Sequence, residues 1–411
     1  MPSWLGPDVL RAVFWLSAFL IVYHHAIYPL ILRLASRRAT GGTHVDPVPE
    51  SELPSITLLV PCHNEAAVIE RKIENLETLD YPAHKLLVVL ALDGCTDATA
   101  ELARNKLSAS RFNHRLAEYP TNIGKVAVLN DQIGASTADI VALSDASSLV
   151  NPAALQIAAA HFADASIGVV SGSYCVSDDE NPGEQAYWKY QIAVKKGEAQ
   201  LGAPQGAHGA FYLFRRNLWS ELPADTINDD FILPMRIVLG GYRAVYEPAI
   251  ECGELERTKS PQEFRRRMRI GAGNLQQALR MWRLASPRLR GISFTFVSGK
   301  GLRGVMPFIL LTCFGTSLAL ALSEGGIYLW IVAAEVIAIL VASGAALLPK
   351  RIKLPHKIRT LEYLFIGYVA TGIGALMLLT GYSARVWDSS RQAKAAALAQ
   401  DAKAGTLDVA G

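Results

Sequence analysis

Cysteine is scarce in this 411-residue chain. There are five, at positions 62, 95, 175, 252 and 313, and none falls at the short paired spacings of a zinc site. A cysteine-built metal centre is thereby excluded. Four of the five lie in the polar middle of the chain, where reduced thiols without chemistry of their own are expected. Glycine is missing from the turn after the first strand, which reads Pro61-Cys62-His63-Asn64-Glu65. A dinucleotide fold needs glycines there so that the backbone can approach the pyrophosphate, which disfavours an NAD enzyme. No GxxxxGK[ST] occurs either, which disfavours a P-loop ATPase. Neither sign of charge dominates: 40 Lys and Arg face 37 Asp and Glu, for a net +3. Nucleic acid is not an expected partner.

Long apolar runs are present instead. Hydrophobic residues make up 51% of the chain and the mean hydropathy is +0.21. Runs at 12–32, 305–322, 325–349 and 363–384 each approach or exceed the roughly 20 residues that cross a bilayer as a helix. No small-x-small cleavage pattern follows the first run, so it reads as a retained anchor rather than a signal peptide. Pro29 near its end is tolerable in a membrane helix. Glu335 interrupts the third run, and an acid there faces protein or water, or snorkels to a membrane face. Arg33, Arg37 and Arg38 follow the first run, Arg303 precedes the second, and Lys350, Arg351, Lys353, Lys357 and Arg359 separate the third from the fourth. The positive-inside rule puts all three clusters in the cytosol, with both termini outside.

These runs divide the chain. Residues 1–11 form an extracytoplasmic N-terminus, 12–32 a span, and 33–53 a linker. Residues 54–260 are expected to form a cytosolic domain and 261–303 amphipathic interfacial helices. Residues 304–384 hold three spans and 385–411 a flexible tail. The 261–300 part of that stretch carries eight arginines, among them Arg265, Arg266, Arg267 and Arg269, interleaved with Phe264, Leu275, Leu279 and Trp282. Such a stretch can lie on an anionic leaflet.

The middle reads as α/β. Strands are expected at 55–61, 86–93 and 139–145, and helices at 64–79, 96–107 and 125–134. Thr96 or Asp97 can cap the second helix. Near-continuous Val, Ile and Leu point to parallel strands covered on both faces, in a doubly wound sheet. Ligands of such sheets bind outside the carboxyl ends of the strands. The expected strands end in acids or polar turns: Glu65 after the first, Asp93 at the second, Ser144-Asp145 at the third. Acids that face base and ribose, and one near a diphosphate, suit a nucleotide-sugar site. An acid beside a diphosphate needs a divalent cation between them.

The segments VPCHNE, ALDGCTD, GKVAVLN, LSDAS, GAHGAFYLFRR, NDDFILPMRIVLGGYR and RRRMRIGAGN run in order from residue 60 to about 274. In these the chain resembles the membrane-bound family 2 inverting glycosyltransferases, the branch of the cellulose, hyaluronan and poly-N-acetylglucosamine synthases. The resemblance implies a GT-A-type, Rossmann-like nucleotide-sugar domain flanked by membrane helices. It implies a nucleotide-sugar donor, UDP by family preference, and a lipid-linked or polysaccharide acceptor at the cytosolic face of the inner or plasma membrane. A membrane partner for export or polymerisation is also implied as possible.

It assigns Pro61, Glu65 and Asp93 to the nucleotide pocket, and Lys125, Ser144, His208 and Arg266 to donor binding. Asp145 takes the place of the first acid of the DxD motif and is the expected ligand of Mg²⁺ or Mn²⁺. Ser147 replaces the second acid, and a hydroxyl is the weaker ligand for a hard cation. His208 is a fairer partner for manganese than for magnesium. Asp229-Asp230 resembles the family's Glu-Asp pair. Asp230 is the expected base for the acceptor hydroxyl, while Asp229 either shares that role or caps the helix, as Asn228 equally can. Processive members carry Gln-x-x-Arg-Trp; here the positions read Arg266, Arg269 and Ile270. Arg269 can meet the departing diphosphate. Ile270 offers no stacking face for an acceptor sugar, which favours addition of one sugar or a short product over a long chain. A processive synthase, a degenerate membrane partner and, less readily, a nucleotide-binding transporter remain the other readings.

Overall fold

The structure, a computed structural model, describes residues 6–37, 48–175, 182–254, 260–348, 352 and 354–381. Arg38, Lys350, Arg351, Lys353, most of the expected linker and the tail at 385–411 lie outside the described residues.

Eight strands make one sheet in the order β3-β2-β1-β4-β7-β6-β8-β5. They are β1 (Ile56–Cys62), β2 (Leu86–Asp93), β3 (Asn113–Tyr119), β4 (Ile140–Ser144), β5 (Ser148–Val150), β6 (Ile167–Cys175), β7 (Phe211–Arg215) and β8 (Arg243–Glu254). β3, β2, β1 and β4 are mutually parallel. The expectation of parallel strands needs correction beyond them. β7 runs antiparallel to both β4 and β6, and β5 antiparallel to β8, so the sheet is mixed. The apolar runs of β1, β2 and β4 arise because both faces are covered. Leu58 and Val60 of β1 enter the core beneath one face, and Leu59 enters the other. β3 escaped the sequence reading because it is an edge strand of largely polar, exposed residues.

The first two helices, α1 (Pro7–Val22) and α2 (Tyr28–Arg37), join through a π-helical turn, Tyr23–Ile27. Pro29, which lacks an N–H, sits just beyond that turn. In the catalytic domain, α3 (Ile69–Glu77), α4 (Thr99–Leu107) and α6 (Ala154–Phe162) cover one face of the sheet. On the other face lie α5 (Lys125–Ala135) and α8 (Asp229–Leu239). Between α6 and α8 in the chain, α7 (Pro182–Gln200) packs along α2. Both early helices start later than expected. Glu65 C=O closes a turn onto the N–H groups of Val68 and Ile69, so the chain becomes helical only at Ile69. Asp97 accepts the N–H of Thr99 at 3.0 Å, ahead of α4 rather than as its first residue. The expected Asn228 cap is also corrected. Its side chain makes no capping bond and lies against Gly273 instead.

The remaining helices are α9 (Ser260–Arg280), α10 (Gly291–Thr295), α11 (Leu302–Glu324), α12 (Ile327–Leu347) and α13 (His356–Leu379). Among the described residues, four helical stretches are long and apolar enough to cross a membrane: Pro7–Arg37, Gly291–Glu324, Ile327–Leu347 and His356–Leu379. The first therefore extends beyond 12–32, and the second begins within the expected interfacial stretch. Arg11 pairs with Glu324 at 3.0 Å, and Phe14 meets Tyr328 edge to face. Glu335, the odd acid of α12, accepts a 2.6 Å hydrogen bond from Ser317 of α11, so it faces protein. An acid placed this way ties two apolar helices in register.

α13 packs on α9 through small residues. Gly271 meets Thr371, and a Cβ at Gly374 would stand 2.0 Å from the Met268 carbonyl oxygen. Gly374→Ala should therefore force the two helices apart and lower the melting temperature of the detergent-solubilised protein by several degrees. A melting temperature equal to the parent's would show that this contact is not needed.

Candidate active site

The carboxyl ends of β1, β2 and β4 meet at one crevice, on the side where strand order reverses between β1 and β4. Asp93, at the end of β2, is buried. Its two carboxylate oxygens accept the N–H groups of Ile123 at 2.7 Å and Gly124 at 2.9 Å. Gly124 has φ +91°, a conformation that favours glycine. From there α5 begins, with Lys125 as its first residue. Asp93 thus sets the loop that aims Lys125.

Lys125 reaches Asp145 at 3.0 Å and Asp229 at 3.6 Å. Burial alone would pull its pKa down, but Asp145, Asp229 and Asp230 outweigh that and hold it above the ordinary lysine value. The lysine stays charged. Burial pushes the Asp229 carboxyl up from its ordinary value; Lys125 opposes the push, and Asp230 and Asp145 add to it. Asp229 Oδ2 is buried and accepts no hydrogen bond.

The loop bearing Asp145 is held from below. Its N–H donates to the Ala210 carbonyl at 3.2 Å. Ser144 and Ser148, on either side, both donate their hydroxyls to that same carbonyl. Beneath them lies Lys72 of α3, with no exposed surface. Its Nζ donates to Ser144 Oγ and to the Ser148 carbonyl, both at 2.6 Å. Burial lowers its pKa to about 8, against the pull of Asp145. Ser144 therefore belongs to the floor of the loop.

The segment 206–210 brings the third wall. The Ala207 N–H donates to the Asp230 carbonyl at 2.8 Å. At Gly206, φ is +78° and a Cβ would crowd Phe231 at 2.9 Å. Gly209 lies between two acids: a Cβ there would stand 3.4 Å from Asp230 Oδ2 and 3.8 Å from Asp145 Oδ2. The glycine leaves open the space between those carboxylates. His208 stacks on Tyr174 at 4.5 Å between centroids. Its Nδ1 accepts the Ala210 N–H at 3.2 Å. Burial lowers its pKa to about 4. The neutral ring then carries its proton on Nε2 and presents a donor, which sets it against the metal-ligand role.

A cavity of about 1360 Å³ gathers Lys125, Asp145, His208, Asp229, Asp230, Arg266, Arg269 and Ile270. It runs on to Lys300 just before α11, to Arg303 in its first turn and to Leu378 of α13. Pro61, Glu65, Asp93, Ser144 and Ser147 do not line it. Pro61 and Glu65 sit at the end of β1, where the Glu65 N–H donates to Thr99 Oγ1. Among the described residues no three His, Cys, Asp or Glu side chains cluster as metal ligands. Asp145 nevertheless keeps Oδ2 facing the open space at Gly209 while Oδ1 meets Lys125. A single carboxylate with one oxygen to spare fits a divalent cation that takes its other ligands from phosphates and water.

The fold and site define a GT-A nucleotide-sugar domain. The family model "Glycosyltransferase like family 2" matches residues 54–273, and the chain belongs to that family. The poly-beta-1,6-N-acetyl-D-glucosamine synthase of Staphylococcus aureus is 27% identical over 237 residues, covering 56% of this chain and 57% of its own length. A beta-monoglucosyldiacylglycerol synthase of Nostoc is 26% identical over 299 residues, covering 68% of this chain and 61% of its own. The chain thus spans under two thirds of the length of these curated relatives. Among solved structures, a mannosyltransferase from Pyrobaculum calidifontis in complex with GDP-Man and Mn²⁺ superposes with a TM-score of 0.68 at 25% identity. That match covers 89% of this chain and 99% of the other.

Sequence reasoning missed Lys72 and Lys300, while the small residues from Gly206 to Gly209 are legible as a segment where backbone approaches a sugar. Lys72 sits in a helix rich in charge, but it falls at i+3 from Ile69 on the face that also carries Ile73 and Leu76, and that spacing is the signal that could have found it. Replacing it tests whether it sets the Asp145 loop. Lys72→Met should destabilise the protein by about 1–3 kcal/mol, because the Ser148 carbonyl loses its buried donor. It should also lower turnover more than donor affinity. Denaturant titration and steady-state kinetics check both, and unchanged turnover would remove Lys72 from the site.

Proposed function

We propose that the chain is an inverting glycosyltransferase. It moves a sugar from a nucleotide-sugar donor, UDP-linked by family preference, to a lipid-linked or polysaccharide acceptor at the cytosolic face of an inner or plasma membrane. The observation that carries this reading is the meeting of Lys125, Asp145, Asp229 and Asp230 in one cavity bounded by α9. Relatives named for N-acetylglucosamine polymer and glucosyl-lipid synthesis support the substrate class.

The residues divide the work. The nucleotide lies at the ends of β1 and β2, against Pro61 and Glu65 and the loop that Asp93 holds. His208 donates from Nε2 to the donor sugar or diphosphate. Asp230 takes the proton of the acceptor hydroxyl as its oxygen attacks the anomeric carbon from the face opposite the nucleotide. The bond to the diphosphate breaks with its electron pair, and Arg269 and Arg266 meet the charge that develops there. Asp229, next to the base, has its pKa raised by burial and by Asp230 and Asp145, with Lys125 opposing, and pairs with Lys125 at 3.6 Å. Asp145 would hold Mg²⁺ or Mn²⁺, which offsets charge on the diphosphate. The Mn²⁺ in the Pyrobaculum complex supports the cation. Ile270 lines the cavity where a stacking ring would guide a growing chain, so addition of a single sugar fits better than processive synthesis.

The purified full chain in detergent, offered a panel of nucleotide sugars, should release nucleoside diphosphate from at least one. Adding Mg²⁺ or Mn²⁺ should raise the rate. Asp230→Asn should cut turnover by about 10²-fold or more, the usual worth of a positioned base, and leave nucleotide affinity within a few-fold. Turnover near the parent's in this variant would remove Asp230 from the base role.

A further inference from the structure

One end of the cavity carries positive charge that the reaction above does not use. Lys300 lies in the π-helical turn Phe296–Gly301, which leads into α11 at the start of a membrane-length helix. Its Nζ stands 5.0 Å from the centre of the Phe231 ring, and Phe231 is the residue after Asp230. Lys300 and Arg303 line the same cavity as Asp230. Among the described residues the Lys300 ammonium makes no hydrogen bond and no ion pair.

The nearby groups on α7 are already engaged. Lys195 donates to the carbonyls of Gln205 at 2.6 Å and Gly206 at 2.9 Å. Glu198 accepts the Gln205 N–H at 2.9 Å and stands 3.7 Å from Lys195. An aromatic face is worth about 0.5–2 kcal/mol to a cation and does not replace an anion. Asp230 and Glu198 reach Lys300 electrostatically but neither bonds it, and Lys195 and Arg303 repel it, so a partly buried ammonium without a bonded anion makes this end of the cavity a place for an incoming one. In the proposed reaction the donor diphosphate has its own partners in Arg266 and Arg269, together with the cation that Asp145 would hold. Lys300 approaches from the membrane helices, whereas Asp145 and Lys125 approach from the sheet.

We propose that Lys300, with Arg303, receives the phosphate of a membrane acceptor whose hydroxyl is presented to Asp230. The acceptor is an amphiphile with a head group that joins a hydroxyl to a phosphodiester or diphosphate. The inference rests on the glycosyltransferase reading and narrows its acceptor. The acceptor oxygen bonds to the anomeric carbon, the carbon–oxygen bond to the nucleoside diphosphate breaks, and the hydroxyl proton passes to Asp230. The acceptor phosphate takes no part in bond making; it fixes the hydroxyl in place. A neutral diacylglycerol brings a hydroxyl without that anchor. Two sources share the required chemistry: a glycerophospholipid head group, and a sugar linked to a lipid through diphosphate.

The full chain is assayed in mixed micelles holding equal mole fractions of phosphatidylglycerol, polyprenyl-diphosphate N-acetylglucosamine or diacylglycerol. Retention of each lipid is also measured by native mass spectrometry, which needs no turnover. At least one phosphate-bearing lipid should be retained and glycosylated about tenfold better than diacylglycerol, and which one identifies the source. Lys300→Gln should erase that preference in both measurements by raising acceptor KM, with donor affinity within about twofold. Equal retention and use of diacylglycerol would overturn the proposal. So would a Lys300→Gln variant that loses donor affinity but keeps the lipid preference, since Lys300 would then serve the donor. Failure of the parent reading looks different: no nucleoside diphosphate is released from any donor, while the retention measurement still decides the lipid site.

Discussion

Three carboxylates, Asp145, Asp229 and Asp230, are gathered around the ammonium of Lys125, and the rest of the site depends on that balance. Like charges about 4 Å apart repel by roughly 4 kcal/mol at the effective dielectric of a protein surface. Three acids from two elements could not be held together without a cation among them. Lys125 supplies it, at 3.0 Å from Asp145 and 3.6 Å from Asp229. The side chains of Lys125 and Asp145 remain 39% and 40% exposed, so water screens part of the attraction and leaves room for a ligand. The placement of Lys125 follows from Asp93 and Gly124, and the placement of Asp145 from Ala210, Ser148 and Lys72. Buried residues on the sheet thus fix polar ones at its rim.

The same balance joins the soluble fold to the apolar helices. α9 forms one wall of the cavity and packs on α13 through Gly271 and Gly374. The π-helical turn Phe296–Gly301 and the first turn of α11 bring Lys300 and Arg303 to the same space. Asp145, Asp229 and Asp230 therefore face a chamber whose far wall is the start of a membrane-length helix.

Much of this was legible in the sequence, for physical reasons. Strands β1, β2 and β4 are buried on both faces, so their residues read as continuous apolar runs. The acids at their ends stand out against that background. The four long apolar runs and the acid Glu335 within the third were equally plain, though not the ends of the first two helical stretches. Other features were not. β3 and the antiparallel strands β6 and β7 have no periodic signal distinct from their surroundings; β3 is polar because it is an edge, and β6 carries small residues. Asn228 looks like a cap by composition, but a glycine on a distant helix takes its side chain. Lys72 and Lys300 read as ordinary surface lysines by residue type, though Lys72 falls on the apolar face of its helix. Their burial or isolation is decided by tertiary contacts with residues tens or hundreds of positions away.

The central claim is a single displacement, with Asp230 acting on the acceptor and no covalent glycosyl-enzyme. Proton NMR of the first product formed, from a donor of known anomeric configuration, tests it directly. The geometry predicts an anomeric carbon inverted with respect to the donor. A product that retains the donor's configuration would contradict the account, because a single attack from the face opposite the nucleotide inverts the anomeric carbon.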